Sequence, residues 1–142
     1  LAGLRIGFAL GNINVINHIK RVTGPYDINT FAVIAAKAAL EDQEYIDSYV
    51  NEVLKARDWL KGKFQKYKVK HHIAGGNYFL IWPKLNPEQV EQDLKSSGIL
   101  IRNMDKKKNL QGSLRVSIGT LEQMKIFWST FKEIENMNQL NV

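Results

Sequence analysis

Three arginines of this 142-residue chain follow aliphatic residues at candidate strands and stand apart from the charged helix faces: Arg5, Arg102 and Arg115. A guanidinium is a rigid planar fork of donors that grips carboxylates and phosphates through paired hydrogen bonds. Arg115 is the most telling. In Leu114-Arg115-Val116-Ser117-Ile118 the two-residue period of a strand puts Leu114, Val116 and Ile118 on one face and Arg115 with Ser117 on the other. If that second face meets another domain, Arg115 points into the cleft. Taken singly, each arginine is more simply read as a part-exposed strand residue paired with a nearby Asp or Glu.

Other chemistries find less support. The chain has no cysteine, which removes disulfides, thiolate metal sites and cysteine nucleophiles and fits a cytoplasmic setting. His71 and His72 are adjacent, so a strand sends them to opposite faces, and His18 sits on a helix near Lys20 and Arg21; no metal site is expected. Gly3, Gly7 and Gly75-Gly76 form no phosphate-binding loop, and no serine, threonine or lysine carries a nucleophile signature. The net charge of +6 suits an anionic ligand, although much of it lies in Lys55 to Lys70, at the spacing of a solvated helix face and the strand after it. No apolar run reaches the roughly 18 residues of a membrane span, and no membrane partner is expected. Leu1-Ala2-Gly3-Leu4 has neither a basic leader nor a cleavage site and reads as an interruption of a longer chain.

The elements that must position these arginines can be read from caps and periods. Arg5 to Leu10 reads as a strand. Asn12 caps a helix bearing Ile13, Ile16 and Ile19, which Thr23-Gly24-Pro25 stops; Asn29 caps an alanine-rich helix from Thr30 to Leu40. Residues 43–66 form a linking helix, with Ile46, Val50, Val53, Leu60 and Phe64 at helical spacing. Beyond it the pattern predicts strands 68–73, 77–82, 99–102 and 113–118 and helices 87–97 and 121–136, a two-layer α+β domain with its helices on one face. Asn86-Pro87 starts the first of those helices, and Thr120 with Gln123 makes a capping box for the second, whose stripe is Met124, Phe127, Phe131 and Ile134. The tail from Asn136 to Val142 is expected to fray. The whole is α/β: residues 1–42 are the end of a larger α/β domain, and residues 67–142 are a small C-terminal α+β domain.

Leu1-Ala2-Gly3-Leu4-Arg5-Ile6-Gly7 resembles the segment that follows the cofactor lysine in fold-type I pyridoxal-phosphate-dependent aminotransferases. The resemblance continues through Gly24-Pro25-Tyr26-Asp27-Ile28-Asn29, Ala39-Leu40-Glu41-Asp42, Asn77-Tyr78-Phe79, Gly98-Ile99-Leu100-Ile101-Arg102 and Leu114 to Thr120, in the family's order and over nearly the whole chain. The histidinol-phosphate aminotransferase type is the one it resembles most. The resemblance implies that Arg5 contacts the phosphate of pyridoxal phosphate, Arg115 clamps the substrate α-carboxylate and Arg102 reads a phosphate on the substrate side chain. It also implies a Schiff-base lysine upstream of Leu1, so that the catalytic residue lies outside the chain and the fragment neither transaminates nor retains the cofactor. The implied partners are an amino acid or amino-alcohol phosphate, a 2-oxo acid and, at full length, a second copy in a homodimer. A threonine-phosphate decarboxylase is similar over the same segments. A basic module that meets nucleic acid through Lys61 to Lys70 is the remaining alternative; nucleic acid is not the expected partner, because Tyr78 and Phe79 lie on opposite faces and make no stacking pair.

Overall fold

The chain is described here from a computed structural model covering residues 2–24 and 27–137. It divides into two compact units, Leu1–Ser48 and Tyr49–Val142. The boundary falls inside a long helix. No helix among the described residues is long and apolar enough to cross a membrane.

The first unit opens with a 3-10 turn, Ala2–Leu4. Arg5 then takes a left-handed conformation with φ of 54°. The strand predicted for Arg5 to Leu10 is not formed. A strand needs a neighbour to take up its backbone N–H and C=O groups, and none of the described strands pairs with this segment. Phe8 and Leu10 are correspondingly 70% and 98% exposed. Helix α1 (Ile13–Lys20) starts where Asn12 accepts the Asn14 N–H at 2.9 Å. It ends before Thr23-Gly24-Pro25, and Pro25 and Tyr26 lie outside the described residues. Helix α2 (Thr30–Glu41) is capped by Asn29, which accepts the Phe31 N–H at 2.8 Å. Its small residues Ala32 and Ala36 are buried.

Helix α3 (Gln43–Lys66) carries the chain into the second unit. There β1 (Lys70–Ile73), β2 (Tyr78–Trp82), β3 (Arg102–Asn103) and β4 (Leu114–Ser117) form an antiparallel sheet in the order β1-β2-β4-β3. Helices α4 (Pro87–Ser96) and α5 (Leu121–Ile134) join α3 on one face. Period-2 alternation selects that face: Phe79, Ile81, Leu114 and Val116 share one core with Leu60 and Phe64 of α3, Val90 and Leu94 of α4, and Phe127 and Phe131 of α5. Phe64, Phe79, Phe127, Phe131 and Trp128 interlock there with ring centroids 5.0–6.2 Å apart.

Three helices stop in the same way. After α3, α4 and α5 the residues Lys68, Gly98 and Asn136 adopt φ of 53°, 79° and 52°. The next amide in each case reaches back to the last turn: Val69 N to Phe64 O, Ile99 N to Leu94 O and Met137 N to Lys132 O, each at 2.9 Å. These are Schellman caps, which satisfy carbonyls the helix leaves orphaned. The cap on α4 corrects the strand predicted over 99–102. Ile99 spends its N–H on the helix, Leu100 is 81% exposed, and pairing with β4 begins only at Arg102. Of the tail expected to fray, Asn136 and Met137 are held by the α5 cap, with Met137 buried in the core; residues 138–142 lie outside those described.

Candidate functional site

The sheet of the second unit has a second face, turned from the helices, and the alternation that buries Leu114 and Val116 delivers Arg115 and Ser117 to it. Arg102 is the register partner of Arg115 across β3 and β4. Directly opposed residues of an antiparallel pair have Cβ atoms roughly 4.5–5.5 Å apart and point the same way. Two guanidinium-bearing side chains therefore rise from neighbouring strands on one face. Like charges in that relation repel, and an anion received between or beside them relieves the repulsion. Arg115 is half-buried and Arg102 is exposed. The guanidinium carbon of Arg115 lies 5.6 Å from the centre of the Tyr78 ring. On its other flank Arg115 is the register partner of Leu80, which is buried although it belongs to this outer face.

Arg102 also lines an open pocket of about 460 Å³ with Asn86, Glu88, Glu91, Asp105 and Lys106. The loop after β3 is folded by its own polar groups: Asn103 Oδ1 accepts the Asp105 N–H at 2.8 Å, and Asp105 Oδ1 accepts the Gly112 N–H at 2.6 Å. Arg102 thus sits where a short strand becomes a lysine-rich turn.

The remaining residues singled out in the sequence fall elsewhere. Arg5 belongs to the first unit, where it is exposed. His71 leaves β1 toward the core, with its ring 5.1 Å from that of Phe64 and its Nδ1 2.8 Å from the Val69 carbonyl; His72 is exposed on the outer face. The sequence shows Tyr78 as part of the Asn77-Tyr78-Phe79 landmark and as a candidate base-stacking residue, but not its contact with Arg115. The signal was partly there, since period 2 separates Tyr78 from Phe79. The register that sets Tyr78 against Ser117 depends on turn lengths and was not visible.

Comparison with known proteins gives this geometry a context. A histidinol-phosphate aminotransferase of Clostridium botulinum (strain Okra / Type B1) is 35% identical over 140 residues, which make up 96% of this chain and 39% of that protein. The fold is shared with histidinol-phosphate aminotransferase from Sinorhizobium meliloti, solved in complex with pyridoxal-5'-phosphate: the TM-score is 0.75 at 20% identity, over 98% of this chain and 39% of that one. It is shared also with L-threonine-O-3-phosphate decarboxylase from Porphyromonas gingivalis, with a TM-score of 0.70 at 20% identity over 94% of this chain and 42% of that one. The chain therefore spans about two fifths of the length of these relatives. The sequence pattern of the family described as aminotransferase class I and II matches residues 1–131. With that match over most of its length, the chain belongs to the class I and II aminotransferase family.

Proposed function

We propose that these residues are the C-terminal part of a pyridoxal-phosphate-dependent aminotransferase that moves an amino group between a phosphorylated amino acid or amine, of the histidinol-phosphate kind, and a 2-oxo acid. The observation that carries the reading is the pairing of Arg102 with Arg115 on the outer face of the sheet. A substrate bearing two anionic groups, or one phosphate, matches such a pair. Similarity to the Clostridium botulinum protein supports the substrate class.

The donors on this chain fit the anionic ends of cofactor and substrate. Pyridoxal phosphate supplies an electron sink for the α-carbon of an amino acid. Arg5, exposed at the start of the first unit, would hold its phosphate. Arg115 would grip the α-carboxylate through its fork and so fix which α-bond stands across the cofactor ring, and orientation of that kind decides which bond breaks. Arg102 would take the side-chain phosphate. The amine that carries the cofactor would come from a lysine preceding Leu1 in the natural protein, so the 142 residues alone are expected not to transaminate. An in-frame Ser-Lys stretch in the coding sequence just before Leu1 supports this, and turnover by the purified 142-residue chain refutes it.

The substrate assignment is tested in the full-length protein with Arg102→Ala and Arg115→Ala. Arg115→Ala should raise KM for phosphorylated and unphosphorylated amino donors alike. Arg102→Ala should weaken phosphorylated donors by roughly tenfold or more, the worth of a lost charge-assisted hydrogen bond, and spare the others. Equal losses for both kinds of donor in Arg102→Ala rule out the side-chain phosphate role. The fold shared with the Porphyromonas gingivalis decarboxylase gives a second reading, in which the same pair holds a phosphorylated amino acid that loses carbon dioxide. Release of carbon dioxide without any requirement for a 2-oxo acid selects it.

A further inference from the structure

Tyr78 has no part in the helix-facing core, and none of the roles above uses it. It opens β2 and is 41% exposed, whereas its neighbour Phe79 is fully buried. Its register partner is Ser117, while Arg115 is opposite Leu80, so Tyr78 and Arg115 stand diagonally on the same face. Diagonal neighbours are within reach of an aromatic ring and a long side chain. The 5.6 Å from the Arg115 guanidinium carbon to the ring centre lies inside the distance at which a ring quadrupole attracts a cation.

The backbone makes room for this ring. A Cβ added at Gly76 would come within 3.0 Å of Tyr78 Cε1 and 3.2 Å of Cδ1, closer than ordinary van der Waals contact. The ring thus lies against a position that has no side chain. On the β3 side Arg115 faces the like charge of Arg102, which repels it, and on the β2 side it meets the attractive face of Tyr78. The guanidinium carries its five N–H donors in its plane. A guanidinium held by its face would keep those donors for a planar anion.

We propose that Tyr78 is the positioning residue for Arg115: its ring, admitted by Gly76, fixes the guanidinium by one face and leaves the in-plane donors for the substrate carboxylate. The proposal deepens the role given to Arg115 above and rests on it.

The experiment compares Tyr78→Leu, Tyr78→Phe and Gly76→Ala in the full-length protein by two readouts. One is KM and kcat for L-glutamate as amino donor. The other is the rate at which phenylglyoxal modifies Arg115, followed by peptide mass. Tyr78→Leu, which keeps an apolar side chain and removes the π face, should raise KM about fivefold, equivalent to about 1 kcal/mol, leave kcat nearly unchanged and speed modification of Arg115. Tyr78→Phe should restore both readouts. Gly76→Ala, which leaves every site residue in place and crowds the ring, should shift both in the direction of Tyr78→Leu. Unchanged values in Tyr78→Leu overturn the proposal, as does a Tyr78→Phe protein impaired as much as Tyr78→Leu, because the hydroxyl and not the ring then acts. If Arg115→Ala leaves KM unchanged, the carboxylate role of Arg115 falls, and the modification rate still reports whether the ring holds the guanidinium.

Discussion

A guanidinium set directly across a strand pair from another is a cost that folding alone does not explain. Arg102 and Arg115 stand in that relation, with Leu80 and Tyr78 on the far side of Arg115. Replacing Arg102 by Leu should therefore stabilise the second unit slightly, by about 0.2–0.5 kcal/mol at low ionic strength, while removing the proposed phosphate contact. The gain should fade as salt screens the pair. Urea melts of both proteins at two salt concentrations check this, and a loss of stability on Arg102→Leu would show that the arginine earns its place by packing. Glu135 behaves in the opposite sense. Its buried carboxylate accepts the Lys84 N–H at 2.9 Å and the Leu85 N–H at 3.2 Å, tying the end of α5 to the turn after β2. Glu135→Ala leaves both donors without that acceptor and should cost about 1.5–3 kcal/mol, read as a lower urea midpoint. Arg115 was visible in the sequence because its strand alternates cleanly. Glu135 was not, because its partners are 50 and 51 residues away in the chain.

Helix caps were the most legible elements, for they depend on neighbouring residues alone. Asn12, Asn29 and Asn86 each accept an amide two residues on, and Thr120 with Gln123 forms the reciprocal box the sequence shows. Thr120→Ala should lower stability by about 1 kcal/mol. Strand ends were less legible, since a strand is defined by its neighbour. Ile99-Leu100-Ile101 has the composition of a strand, yet Gly98 and Ile99 are engaged in the α4 cap. The matching cap on α3 puts a lysine in the left-handed conformation that only glycine adopts freely. Lys68→Gly relieves that strain and loosens the unfolded chain at the same time, and the first effect is the larger. The expected net gain is about 0.5–1 kcal/mol, measured as a higher urea midpoint with an unchanged slope.

Across the whole molecule the apolar surface is unevenly covered. In the second unit α3 contributes Ala56, Leu60 and Phe64 to one continuous core with the sheet and the other helices. In the first unit Ala32 and Ala36 are buried, while Phe8, Leu10, Ile13, Val22, Ile28 and Phe31 are between 63% and 98% exposed. The sequence could place Ile13, Ile16 and Ile19 on one helix face, but a face states only that something must cover it. Short helices without a packed face are marginal in water, so the two units should differ in local stability. Hydrogen exchange on the 142-residue chain should find slow amides in β2, β4 and α5, opening only with global unfolding, and amides in α1 exchanging orders of magnitude faster. Raising the protein concentration distinguishes the sources of any protection. If α1 amides slow as concentration rises, copies of the chain are covering the exposed apolar residues. If α1 is as slow as α5 at every concentration, the first unit holds itself together through its own contacts, and the argument from exposure fails.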